Sequence, residues 1–299
     1  MSSIMIIHQR TLNRETGCAG IGLHNGKKVN LTLKPAEPDS GIRFVRVDLP
    51  NSPVIEAKNT QVVATQLATS IGYNGYRIST VEHLLAAFSG LGIDNASIEL
   101  DSSEVPIMDG SSGPFIRLLH EAGLKKQGKT KKYLVVKRPI EVRENGSKVT
   151  LLPADEFKIS FTIDYDHPLM QNQSLTVAVE DKSFVQEIGW ARTFGFLEEV
   201  ESLKKSGFAK GGSLENAIVI DRSGVLNEKG LRYRDEFVRH KILDLIGDLS
   251  LIGMPIRGHV LAHKSGHTLH QTLVQTLLSD PENYEIVSPL NGTTPPVQG

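Results

Sequence analysis

The chain has 299 residues, with 33 Lys and Arg against 34 Asp and Glu, a formal charge of -1, 39% apolar and 22% charged residues. Such a length supports a large core split most naturally between two domains, and the near-zero charge gives no global pull toward nucleic acid or anionic lipid. A single cysteine, Cys18, excludes an intrachain disulfide framework and a cysteine-based zinc finger, and is expected as a small buried side chain.

In chain order, Met1 to Arg10 is a short apolar run without the length or cleavage pattern of a secretion signal. No window approaches 18 apolar residues, so a cytoplasmic protein without a transmembrane segment is expected. Period-two alternation predicts strands at 28–33 and 41–47. Ser79 or Thr80 is placed to cap a helix at 80–89, which precedes a strand at 96–100. Ser112-Gly113 leads into the apolar segment 114–119. The charged, glycine-containing run 125–132 reads as a linker, because it lacks the aromatic partners of a base-stacking surface.

Further strands are predicted at 133–137, 158–163, 174–179 and 216–220, with a hairpin turn at Asn145-Gly146. A helix at 235–251 precedes a strand at 258–262, and Ser265-Gly266 leads into a helix at 268–278. The end of the chain, 291–299, is expected to be disordered.

The two halves repeat one order. Strands end at Pro35-Ala36 and at Pro153-Ala154, each half then has a helix before a strand, and a Ser-Gly pair opens a further helical segment. A duplicated α+β unit explains this better than one doubly wound sheet. The expected architecture is two similar domains, 1–126 and 132–280, each a mostly antiparallel sheet layered with helices, followed by a tail at 281–299.

The helix at 235–251 places His240, Asp244 and Asp248 at four-residue intervals on one face, beside apolar Val238, Ile242, Leu245, Ile246 and Leu249. A His and an Asp one turn apart can reach one metal ion, although the same spacing also serves an ordinary hydrogen bond. A hydrolytic zinc site takes three protein ligands and leaves one position for water, so a third ligand is required. Among the remaining histidines His83 stands out, because Glu82-His83 opens a helix whose positive end disfavours a protonated imidazole. A Glu beside a ligand His can act as general base on the hydrolytic water, as in HExxH enzymes, but the second His of that motif is missing here. A surface Glu beside a packed His is the plain alternative. The matching positions of the two helices in the two halves favour a shared site between them, with Asp248 placed to orient a ring or an ammonium group.

His267 follows a Ser-Gly hinge and is suited to stabilise an oxyanion or protonate a leaving amine. His263, on the preceding strand, and His270, expected at the surface, are its rivals. In Ala191-Arg192-Thr193-Phe194-Gly195-Phe196, Thr193 offers a small donor and the phenylalanines offer apolar surface. The next helix aligns Phe196, Val200 and Leu203 opposite Glu198, Glu199, Glu201, Lys204 and Lys205, and Gly211-Gly212 closes the insert. That stripe can pack in a core or wall a channel for a lipid chain.

These segments resemble one known family, the zinc-dependent UDP-3-O-acyl-N-acetylglucosamine deacetylases of lipid A biosynthesis. The resemblance rests on Gly20-Ile21-Gly22-Leu23-His24-Asn25-Gly26, Ser79 to Leu84, Gly92-Ile93-Asp94-Asn95 and Pro106-Ile107-Met108-Asp109-Gly110-Ser111. It continues through Asp164-Tyr165-Asp166-His167-Pro168, Ala191 to Phe196, Gly211-Gly212-Ser213, Val225-Leu226-Asn227-Glu228, Phe237 to Asp248 and Lys264-Ser265-Gly266-His267. Together these span residues from about 8 to about 280.

The resemblance implies an active site at the interface of two α+β domains and hydrolysis of the 2-acetamido group of a UDP-linked, 3-O-acylated amino sugar. It implies zinc held by His83, His240 and Asp244, Glu82 as general base, and His267 as electrostatic stabiliser and acid, oriented by Asp248. Thr193 would assist the oxyanion and Lys241 would face the substrate. Phe194 and the insert near 193–214, including Gly212, would line the acyl passage. A smaller insert in the first domain near 59–76 matches the family less well. Iron can replace zinc in such a ligand set. A monomer is expected, with no nucleic-acid partner. Two other readings remain: a metal-dependent amidase or esterase on another substrate, indifferent to a 3-O-acyl chain, and an RNA-binding α+β module, against which the charge and the lack of basic-aromatic interleaving count.

Overall fold

The computed structural model describes residues 8–288. The duplication expected from the sequence is present as two sheets with one strand order. In the first, Thr16–Ile21, Lys28–Pro35, Ala96–Leu100, Ile42–Arg46 and Val54–Glu56 lie side by side. Ala96–Leu100 runs antiparallel to Lys28–Pro35 and parallel to Ile42–Arg46. In the second, Ile256–His263 takes that central place, antiparallel to Ser147–Leu152 and parallel to Phe157–Ile163. Ile140–Glu144 and Gln173–Ala178 flank these as antiparallel outer strands. The alternating burial along these strands matches one face on the core and one toward water. Asn145 and Gly146 both take positive φ (47° and 80°) between Ile140–Glu144 and Ser147–Leu152, as a two-residue hairpin requires.

The helices are α1 (Glu82–Gly90), α2 (Gly113–Ala122), the short α3 (Asp181–Ser183), α4 (Leu197–Lys205), α5 (Glu236–Ser250) and α6 (His267–Ser279). Helices α1 and α5 pack on each other in the middle, with α2 beside α1 and α6 beside α5. Their approach depends on Gly247: a Cβ there would sit 2.1 Å from the Glu82 carbonyl oxygen. One apolar cluster runs through both halves, from Phe44, Ile98 and Leu85 to Leu243, Ile246 and Val260. Among the described residues no helix is long and apolar enough to cross a membrane.

Several expectations need correction. Neither Ser79 nor Thr80 caps α1. Val81 precedes the helix, Thr80 has φ 59° and bonds through Oγ1 to Glu104, and Ser79 Oγ donates to the Ser103 carbonyl. The charged run at 125–132 is no free linker. Leu124–Thr130 pairs antiparallel with His8–Leu12, exposing six of its seven residues and burying Gln127, which bonds Asn95 and the Ala36 carbonyl. Lys131 is buried against Asp94 at 3.1 Å. A solvent-facing edge strand and a linker share one composition, so charge alone misleads here. Residues 284–287 do not form a tail but an edge strand on Tyr133–Val136, beyond the boundary expected at 280. The segment 291–299 lies outside the described residues. The strand expected at 216–220 is Ile218–Asp221, because the Asn216 side chain instead closes the preceding turn on Ser213 and Gly211.

Two small sheets project from this frame. Val62–Ala64, Ser70–Tyr73 and Tyr76–Ile78 form an antiparallel one at the first expected insert. At the second, Phe194–Phe196 runs parallel to Ile218–Asp221 with α4 between them. Helix α4 has no buried residue, and of the apolar stripe Phe196, Val200 and Leu203 only Phe196, just before the helix, packs against the core.

Candidate metal centre

Helix α5 is long enough to present four polar residues at one-turn intervals, Glu236, His240, Asp244 and Asp248, all buried. Burial of such a line is costly unless each group is partnered. The partners come from α1, α6, Thr69, the segment through Ala191 and Arg192, and Arg232.

The Nε2 atoms of His83 and His240 approach the same oxygen, Asp244 Oδ1, at 3.5 and 3.3 Å. Donor atoms of these three residues lie within 4.8 Å of one another. A tetrahedral cation with bonds of about 2.0–2.1 Å holds its ligand atoms about 3.3 Å apart, so the spacing fits one small divalent ion. His240 Nδ1 lies 3.1 Å from the Ala191 carbonyl oxygen, which can only accept. Nδ1 therefore carries the proton and the Nε2 lone pair faces the site. Burial pushes the His240 pKa down to about 3, so its ring is neutral. Burial opposes the Asp244 charge too, but the Lys241 ammonium and the hydrogen bond from His83 help hold its pKa well below the usual value. Lys241 Nζ donates to Asp244 Oδ2 at 2.7 Å. Burial disfavours that ammonium, yet Asp244 outweighs it and raises its pKa.

Glu82 precedes His83 on α1 and accepts from the Thr69 backbone N–H at 3.0 Å. Burial lifts its pKa to about 6, against the opposing pull of His267 and His83. On the other side, Asp248 Oδ2 accepts from Nδ1 of both His267 and His270 at 2.7 Å, and Oδ1 accepts from Thr69 Oγ1 at 2.5 Å. Burial works against the Asp248 charge, but the two histidines hold its pKa below the usual carboxylate range. Burial also works against a charged His267, and there the Asp248 charge and hydrogen bond prevail, raising its pKa to about 9. Asp248, His267 and His270 also cluster closely enough to ligate, and hydrogen bonding accounts for that group.

The raised His267 pKa stabilises the folded protein while the ring is charged. This contribution is complete below pH about 6.5 and is lost as pH rises through about 9. Asp248→Asn is expected to drop the His267 pKa by more than one unit, read by NMR titration of the imidazole in metal-free protein. A value still near 9 would clear Asp248 as the cause.

Thr193 follows the Ala191 carbonyl, its N–H bonded to the Gly110 carbonyl and its own carbonyl to Ile218 N–H, both at 2.8 Å. Phe194 lies edge-on to Tyr165, Phe237 and His240. Gly212 sits in the loop that docks on the first half, where Gly211 N–H donates to the Leu23 carbonyl at 2.9 Å. The fold thus gathers His83, His240, Asp244, Glu82, Lys241, Asp248 and His267, with Phe194 against His240. Gly212 is tied instead to the loop of His24.

His270, expected at the surface, is fully buried and also meets Ser265 Oγ at 2.9 Å through Nε2. It lies three residues after His267 on α6, so the shared face was legible. His263, the other rival, is exposed. Thr69 was missed, and no spacing marks it. It reaches both carboxylates from the loop just before the strand Ser70–Tyr73 of the first projecting sheet. Glu104 was missed as well: fully buried, it accepts from His24 N–H, Asn25 N–H and Thr80 Oγ1. The His24 ring lies edge-on to Phe208, near enough for His83 and His267 to depress its pKa, though burial lowers it most.

A duplicated α+β fold carries between its central helices a buried His-His-Asp group that could hold a metal ion, with the buried Glu82 carboxyl next to His83. The family model described as LpxC, UDP-3-O-acyl N-acetylglycosamine deacetylase, matches residues 9–279, and the chain belongs to that family. It is 52% identical over 280 residues to a UDP-3-O-acyl-N-acetylglucosamine deacetylase of Myxococcus xanthus, covering 94% of this chain and 89% of that one. A protein of the same name from Anaeromyxobacter sp. is 51% identical over 280 residues, covering 94% and 91%. One from Pseudomonas entomophila is 49% identical over 296 residues, covering 98% and 97%.

Proposed function

We propose that this protein hydrolyses the 2-acetamido group of UDP-3-O-(3-hydroxyacyl)-N-acetylglucosamine, releasing acetate and the free 2-amine, a step of lipid A biosynthesis. The convergence of two imidazoles and one carboxylate beside Glu82, in a member of this family, carries the reading. A divalent cation held by His83, His240 and Asp244, zinc in this reading with iron(II) able to replace it, supplies Lewis acidity toward the amide carbonyl and the attacking water.

The rest falls to the chain's own groups. Glu82, kept dry and fixed by Thr69, takes a proton from the water as its oxygen bonds to the carbonyl carbon. Thr193 donates to the negative oxygen that develops, and charged His267 stabilises it from the Asp248 side. The carbon–nitrogen bond then breaks and the amine takes a proton, from Glu82 or from His267. Lys241 fixes the Asp244 carboxylate and faces the sugar. Phe194, α4 and the loop through Gly212 form the wall of the acyl passage, where each buried methylene is worth about 0.8 kcal/mol. The first domain, expected to end at 126, is taken to 130 because Leu124–Thr130 pairs with His8–Leu12, and the second is 132–280 continued by the strand at 284–287. The protein is read as a cytoplasmic monomer, and its lone thiol suits a reducing compartment.

The test is deacetylation of the UDP-sugar with and without its 3-O-acyl chain, alongside metal analysis of the purified protein. Stoichiometric zinc or iron, and kcat/KM at least a hundredfold higher for the acylated substrate, are expected. Equal turnover of both would favour a general metal amidase. No bound metal, with salt-sensitive RNA retention, would favour a binding module.

A further inference from the structure

One turn before His240 on α5, Glu236 is fully buried and takes four donors. Its Oε1 accepts from Arg192 backbone N–H at 3.0 Å and Arg192 Nε at 2.9 Å. Its Oε2 accepts from Arg192 Nη2 at 3.1 Å and Arg232 N–H at 2.6 Å. The Arg192 N–H belongs to the same peptide group as the Ala191 carbonyl that meets His240 Nδ1. One peptide plane is therefore gripped at both ends by a single helix, its N–H by residue 236 and its carbonyl by residue 240.

We propose that Glu236 is a positioning residue for the cation site, fixing the 191–192 peptide so that its carbonyl, and not its N–H, faces His240. This rests on reading His240 as a cation ligand. The consequence of losing the grip is specific. A flipped peptide presents N–H to His240 Nδ1, which must then accept, and the ring proton moves to Nε2. Nε2 is the atom facing Asp244, and once protonated it has no lone pair to donate. The neighbouring loop has independent anchors, Arg232 Nη1 on the Trp190 carbonyl at 2.9 Å and Thr193 N–H on the Gly110 carbonyl. Glu236 thus sets the orientation of one peptide plane within a loop that stays attached.

A buried ion pair with Arg192 could instead serve stability alone, and the double variant Glu236→Ala/Arg192→Leu separates the roles. Removing both charges leaves no unpaired ion and restores much of the lost stability, while the grip on the peptide stays broken. The measurements are zinc affinity by chelator competition and the visible spectrum of the cobalt(II)-loaded protein. The double variant and its volume-conserving counterpart Glu236→Met/Arg192→Leu, neither of which can accept from the Arg192 backbone N–H, are expected to bind zinc about ten- to hundredfold more weakly, with an altered cobalt spectrum. Arg192→Lys loses the forked side-chain pair and some stability but keeps the backbone N–H that Glu236 holds, so its zinc affinity is expected to stay within about threefold of wild type. Wild-type affinity and spectrum in the double variant overturn the proposal. If that variant does not fold, the same result in Glu236→Met/Arg192→Leu overturns it. A wild-type chain that takes up no zinc instead sinks the site reading, and this inference with it.

Discussion

Glu82→Gln is expected to lower kcat by about a hundredfold or more while the protein keeps its metal, the result that loss of a general base would give. The substitution is nearly isosteric, and an amide oxygen can still accept from Thr69 N–H, so α1 keeps its start and His83 its place. What is lost is the ability to take a proton. Burial holds the carboxyl at a pKa near 6, a strength of base matched to work near neutrality. The measurement is single-turnover deacetylation by metal-loaded variant, with metal content determined on the same sample. Turnover equal to wild type at full metal occupancy would remove Glu82 from the chemistry.

Gly247→Ala is expected to weaken both folding and cation binding. An added Cβ would lie 2.1 Å from the Glu82 carbonyl oxygen, 2.7 Å from its carbonyl carbon and 2.9 Å from its Cα. All three are backbone atoms, so no side chain can swing aside, and the helices must separate by about an ångström to restore normal contact. Overpacking of this kind costs about 1–3 kcal/mol. The same separation moves His83 away from His240 and Asp244, whose spacing tolerates about 0.2 Å in a metal site. Thermal melting and chelator competition check the two effects together. Gly128→Ala, where an added Cβ meets nothing within 4 Å, is the neutral control. Wild-type zinc affinity in Gly247→Ala would mean that the α1–α5 contact does not set the ligand spacing.

What the sequence disclosed depended on how local each signal is. His240, Asp244 and Asp248 were legible because one helix fixes their relation, and Glu236 belongs to the same four-residue series although it went unread. His83 was legible through the matching place of its helix in the repeated unit. The sheets followed because strand order in a duplicated unit repeats with it. Thr69 and Glu104 were hidden, since each acts through contacts that only the packed chain creates. His270 was misplaced by its ordinary surroundings, although its three-residue offset from His267 pointed at Asp248. The run at 124–130 failed for another reason: an exposed ribbon strand has no apolar face to betray it.

Two of the three donors ride on α5 and the third on α1, and each rod is rooted in a different layer of the duplicated architecture. An ion shared by all three would consequently also staple the halves of the chain. Occupancy and interdomain cohesion would then be thermodynamically linked, and stripping the cation would loosen the very seam on which the reaction takes place.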